Sequence, residues 1–169
     1  VVARVILRRI LAAYAPLDAS ALRFGYGAHG KPCLVDAPEL RFNVSHAGDT
    51  AVYAVTSRRE VGIDIEATTR EVDVLGVGRQ AFSSREREVL VALAPHAQRE
   101  AFFRIWTRKE AYIKARGEGL SYPTRFFSVL HGNGDNALID DERDGHAPDR
   151  WRVIGLDAPP GFSAALAAE

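Results

Sequence analysis

Six consecutive residues, Val61-Gly62-Ile63-Asp64-Ile65-Glu66, restrict the fold more than any other stretch of the chain. Aliphatic side chains alternate there with Gly, Asp and Glu, a period of two that predicts a strand with an apolar face and an acidic face. Residues two apart along a strand stand about 7 Å from each other, so the Asp64 and Glu66 carboxylates repel unless a cation or a bound ligand lies between them. A hard divalent ion with oxygen ligands would answer that repulsion. An ordinary half-buried strand with a solvated polar face would answer it too.

Around this strand the sequence alternates helical and extended patterns. Val2, Val5, Ile6, Ile10 and Ala13 recur at helical spacing, predicting a helix over 2–14 that Pro16 ends. A short strand is expected at 22–24. It leads into Gly25-Tyr26-Gly27-Ala28-His29-Gly30, which matches a dinucleotide fingerprint letter for letter. That fingerprint requires a helix opening on its last glycine, whereas Lys31-Pro32 follows here and the chain runs extended, so a nucleotide-binding site of that class is rejected. Strands at 40–45 and 50–56 flank the turn Ala47-Gly48-Asp49 as a hairpin, with His46 at its mouth. A weak helix is expected over 71–81, then a capping box at Ser83-Ser84-Arg85-Glu86 opening a helix that Pro95 stops. The longest helix is predicted over 98–116, closed by Gly117 and Gly119. Trp106, Glu110 and Lys114 share one face of it at i, i+4 and i+8, with Lys109 beside them. Strands follow at 125–130, 137–139, 151–156 and 162–168, joined by polar loops at 132–135 and 140–150.

Helix 2–14 with strands 22–24 and 50–56 recurs as helix 98–116 with strands 125–130 and 162–168. The fold class expected is therefore α+β with two similar α/β halves, 1–58 and 59–169. The second half has a strand and helices before its long helix and the first has none, so the first half is expected to be N-terminally truncated; a first residue Val1, with no Met in the chain, agrees. With 22 basic and 22 acidic side chains the formal charge is zero, so no global field recruits nucleic acid or an anionic membrane. The single cysteine, Cys33, excludes an internal disulfide and a thiolate cluster, and no stretch reads as a signal peptide or a spanning helix; a cytoplasmic protein is expected.

Cationic side chains beside a carboxylate-bound metal suit a pyrophosphate, and no P-loop is present to bind phosphate by backbone instead. Phe42-Asn43-Val44-Ser45-His46, Gly62-Ile63-Asp64-Ile65-Glu66 and Trp106-Thr107-Arg108-Lys109-Glu110-Ala111-Tyr112-Ile113-Lys114, in that order, resemble the three signature motifs of the 4'-phosphopantetheinyl transferases. Gly30-Lys31-Pro32 and Phe82-Ser83-Ser84-Arg85-Glu86 also resemble that family. The likeness is nearest to its larger pseudo-dimeric class, which implies two α/β halves with the active site between them.

The resemblance implies transfer of the phosphopantetheine arm of coenzyme A to a serine of an acyl or peptidyl carrier protein, with release of adenosine 3',5'-bisphosphate. It implies that Asp64, Glu66 and Glu110 hold Mg2+, that Lys109 and Lys114 face phosphate oxygens, and that Ser45 and His46 meet the 3'-phosphate. His29, Gly30, Lys31 and Pro32 would wall the adenine. Glu110 and Lys114 are the candidate catalytic groups, as base for the serine and partner of the leaving group. Glu86 is explained by its capping box alone. Arg70, Arg79, Arg85 and Arg87 form the candidate docking surface for an acidic carrier. A monomer is expected. The competing readings are a Mg2+-dependent phosphohydrolase on the same carboxylates and a non-catalytic coenzyme A binding module.

Overall fold

The structure is a computed structural model that describes residues 2–15, 17–131 and 136–169. Val1, the expected helix stop Pro16 and the expected loop 132–135 lie outside the described residues.

Helix α1, Val2–Ala12, turns Leu7 and Leu11 inward onto Leu22, Leu34, Leu40 and Phe42, one hydrophobic cluster. Strands β1 (Phe24–Tyr26) and β2 (Pro32–Leu34) pair antiparallel, so the rejected glycine fingerprint is the turn of a hairpin. Strands β3 (Leu40–Ala47) and β4 (Thr50–Ser57) form the second hairpin, as the Gly48 turn predicts.

Strand β5, Val61–Ala67, is the predicted alternating strand. After it come α2 (Val74–Ala81), α3 (Ser84–Ala92) and α4 (Pro95–Arg116). Pro95 does not stop α3, which ends at Ala92; it opens α4 from the first helical turn, where its missing N–H is no loss. Gly117 ends α4 in the left-handed conformation, φ 70°. Strands β6 (Phe127–His131), β7 (Asn136–Asp141), β8 (Arg152–Leu156) and β9 (Phe162–Ala168) follow, with a one-turn helix α5, Ala147–Arg150, inside the expected loop 140–150.

Five of these strands make one antiparallel sheet in the order β5-β9-β8-β7-β6. Its α4-facing floor is built from small residues. Gly62 pairs with Ala167 and Asp64 with Ala165, and both alanines are buried. A Cβ on Gly62 would stand 2.1 Å from the Ala111 carbonyl oxygen and 2.3 Å from the Ala115 nitrogen, so only glycine lets the helix backbone settle there. Ala111 and Ala115, four apart, complete the close approach. This crossing point sets the site: once Ala111 and Ala115 rest on Gly62, Glu110 and Lys114 fall beside Asp64 and Glu66.

Candidate active site

Val44, Ser45 and His46 of β3, Asp64 and Glu66 of β5, and Trp106, Glu110 and Lys114 of α4 line one cleft of about 400 Å3. The predicted carboxylate face is therefore not a solvated surface: Asp64 is 3% exposed.

Lys114 Nζ donates to Asp64 Oδ1 at 2.6 Å and to Ser45 Oγ at 3.0 Å, and Ser45 Oγ donates to Asp64 Oδ1 at 2.8 Å. Asp64 Oδ2 has no hydrogen-bond partner; among buried side-chain polar atoms of the described residues only Trp151 Nε1 and Arg41 Nε, the latter ion-paired to Glu60 Oε1 at 3.2 Å, share that condition, and neither lines this cleft. Burial, the largest influence, pushes the Asp64 carboxyl above its ordinary range against the pull of Lys114 and Ser45. Glu110 is also pushed up, first by burial and then by the negative charge of Asp64, with Glu66 adding to it and Lys114 opposing. Glu66 accepts from Trp106 Nε1 at 3.1 Å and lies 3.6 Å from Arg70 Nη2. Trp106 is itself stacked on Phe102, centroids 5.8 Å apart.

The donor set and the orphaned Asp64 oxygen fit a hard divalent ion. Among the described residues no three Asp, Glu, His or Cys side chains already stand close enough to share one. Mg2+ is commonly held by one or two carboxylates plus water and substrate phosphate, so an incomplete protein cage is compatible with it.

Other expected site residues lie elsewhere. Lys109 does not face the cleft. One position before Glu110 on the helix, it projects into the opposite side, is 1% exposed, and donates to Glu86 Oε2 at 2.6 Å and to the Phe127 carbonyl at 2.5 Å. Burial pushes its ammonium below the ordinary lysine range. Its expected role on phosphate is corrected to a buried structural pair. Glu86 closes the predicted capping box through the Ser83 N–H at 2.9 Å and accepts from the Val129 N–H at 2.8 Å, so both of its oxygens are engaged by the framework.

Lys31 Nζ donates to Glu60 Oε2 and to the Ala115 carbonyl, each at 2.7 Å. Its ammonium thus ties the β1–β2 hairpin to the end of α4, leaving backbone and alkyl chain to offer a nucleotide. Pro32 and Val44 both line a larger cavity of about 690 Å3, with Arg4, Arg8 and Tyr26 among its walls; Val44 is also part of the carboxylate cleft. His46 is exposed at the cleft rim, and His29 lies against Gly119. Of the four candidate docking arginines, Arg79 and Arg87 are exposed, Arg85 pairs with Asp140 at 3.2 Å, and Arg70 sits beside Glu66.

Sequence reading gave no role to Asn43, whose Oδ1 accepts from the Ile63 N–H at 2.9 Å, or to Trp106 as a hydrogen-bond donor to Glu66. Alternation was the available signal for Asn43, since it lies two residues before Ser45 on one strand face.

Known proteins are similar to this chain in sequence and in fold. A model of the 4'-phosphopantetheinyl transferase superfamily matches residues 60–167. The chain is 35% identical over 165 residues to the 4'-phosphopantetheinyl transferase Sfp of Bacillus subtilis, covering 97% of this chain and 70% of that protein. It is 39% identical over 121 residues to the 4'-phosphopantetheinyl transferase HetI of Nostoc sp., covering 70% of this chain and 51% of that protein. In fold it is similar to a holo-(acyl-carrier-protein) synthase from Bacillus anthracis solved in complex with CoA (3',5'-ADP), with TM-score 0.53, 19% identity, 64% of this chain and 93% of that one. The family match spans β5, α4 and the five-stranded sheet, the elements that bring the carboxylates together, and on these grounds the chain belongs to the 4'-phosphopantetheinyl transferase superfamily.

Proposed function

We propose that this chain transfers the 4'-phosphopantetheine arm of coenzyme A to a serine of an acyl or peptidyl carrier protein and releases adenosine 3',5'-bisphosphate. The observation that carries this reading is the cleft itself, where three carboxylates and the Lys114 ammonium line one wall-to-wall space within a member of the transferase superfamily.

Serine attack forms an oxygen–phosphorus bond to the phosphate bearing the pantetheine arm and breaks the pyrophosphate bridge. Glu110, which lines the cleft beside Asp64 and Glu66, is the group to take the serine proton, directly or through water. Lys114, at the cleft rim with a side chain 29% exposed, can leave Asp64 for the departing phosphate and neutralise its charge. Asp64, Glu66 and Glu110 are the residues that would hold Mg2+. Bound there, the ion supplies charge neutralisation of the pyrophosphate.

His29, Gly30, Lys31 and Pro32 are proposed to wall the adenine, with Ser45 and His46 at the strand end between adenine and carboxylates. The cavity running from Pro32 to Val44 supports that course for the nucleotide. Residues 1–58 and 59–169 are proposed as two halves of one transferase fold. A monomer is proposed, and the lining of the cleft by β3 of the first half and β5 and α4 of the second, all within one chain, supports it. The exposed Arg79 and Arg87 are proposed to meet the carrier protein.

Incubation of an apo carrier protein with this chain, coenzyme A and Mg2+, followed by intact-mass measurement, tests the reading. The carrier gains the mass of the phosphopantetheine arm with wild type and not with Asp64→Asn. Hydrolysis of coenzyme A without mass gain on the carrier would refute it.

A further inference from the structure

Ser45 lies at the point where β3 meets β5, 7% exposed and surrounded by three partners. Its hydroxyl donates to Asp64 Oδ1 at 2.8 Å, and its oxygen accepts from Lys114 Nζ at 3.0 Å and from the Ile65 N–H at 3.4 Å. A serine hydroxyl has one proton and two lone pairs. All three are committed. No donor remains for a phosphate oxygen, and moving the proton to one would withdraw it from Asp64.

The neighbouring alternate residue follows the same plan. Asn43, 6% exposed, accepts from the Ile63 N–H at 2.9 Å. Strand β5 pairs with β9 along one edge, and its amides at 63 and 65 point out of the other. Asn43 and Ser45 meet those amides two residues apart with side-chain oxygens, where a further strand would have offered carbonyls. Their spacing fixes the register of β3 on β5 and brings the Ser45 hydroxyl to the Asp64 carboxylate.

We infer that Ser45 is a positioning residue for Asp64 and makes no contact with the nucleotide. This goes beyond the proposed function and rests on it only for the role of Asp64. The single hydroxyl holds Oδ1 and leaves Oδ2 as the carboxylate oxygen without a hydrogen bond. His46, exposed one residue on, is then the member of the Ser-His pair available to a phosphate.

Ser45→Ala separates the alternatives. Its affinity for adenosine 3',5'-bisphosphate, measured by calorimetry without divalent ion, stays within about threefold of wild type, and KM for coenzyme A is unchanged while kcat falls about tenfold or more, as for other residues that orient a metal ligand. In thermal unfolding, the Tm shifts of Ser45→Ala and Asp64→Asn are less than additive in the double variant, because both remove the same bond. A tenfold loss of nucleotide affinity, a raised KM, or additive Tm shifts would overturn the assignment. The unfolding cycle needs neither substrate nor turnover, so it tests the Ser45–Asp64 coupling even if the transferase reading fails, and the affinity measurement tests nucleotide contact separately.

Discussion

Helix α4 carries two lysine–carboxylate pairs five residues apart, each at 2.6 Å, and they have opposite uses. In the first, Lys109 meets a Glu86 whose two oxygens are filled by the Val129 and Ser83 amides, and the pair is sealed, with side chains 2% and 0% exposed. In the second, Lys114 meets an Asp64 with one oxygen unfilled, at a rim where the lysine side chain is 29% exposed. Distance alone does not distinguish them. Completeness of hydrogen bonding does: a fully satisfied buried pair is framework, and a buried carboxylate left with a spare oxygen is held ready for something else.

The sharpest test of that contrast is to remove each ammonium in turn. Lys109→Met strands Glu86 in a dry core and should cost about 3–5 kcal/mol in urea unfolding. Adding Glu86→Leu should restore only part of this, since the Ser83 and Val129 amides then lose their acceptor. Lys114→Met takes a partly exposed ammonium from a buried Asp64 that keeps its Ser45 bond, and should cost about 1–3 kcal/mol, less than Lys109→Met, while lowering transfer to the carrier about a hundredfold, the scale for losing one charge-stabilising group. Equal effects of the two substitutions on stability would erase the distinction. Gly62→Ala probes the helix crossing on which both pairs depend. It should destabilise by about 1–3 kcal/mol as the new Cβ forces α4 off the strand, measurable by the same titration. Smallest is Trp106→Phe, which keeps the stacking on Phe102 but drops the bond to Glu66; about 0.5–1.5 kcal/mol of stability should be lost.

Much of this was legible in the sequence because its signals are local. Alternation marked β5, the capping box marked the start of α3, and i, i+4, i+8 spacing placed Trp106, Glu110 and Lys114 on one face. Lys109 was misassigned because adjacency in sequence is divergence on a helix: a step of about 100° per residue sends it into the core while Glu110 meets the cleft. Pro95 was misread because proline can stop one helix or open the next, and only the backbone around it decides. The roles of Asn43 and Ser45 depend on which strand lies across from them, and no spacing within β3 reveals that partner.

The seam between β3 and β5 has a consequence for fidelity. A bare strand edge accepts almost any extended segment, because every backbone offers the same carbonyls and amides. The outward amides at 63 and 65 are answered instead by an amide side chain and a hydroxyl two residues apart. Joining the strands has become a matter of spelling, and a segment without Asn and Ser in that order and spacing is a poor match for this edge.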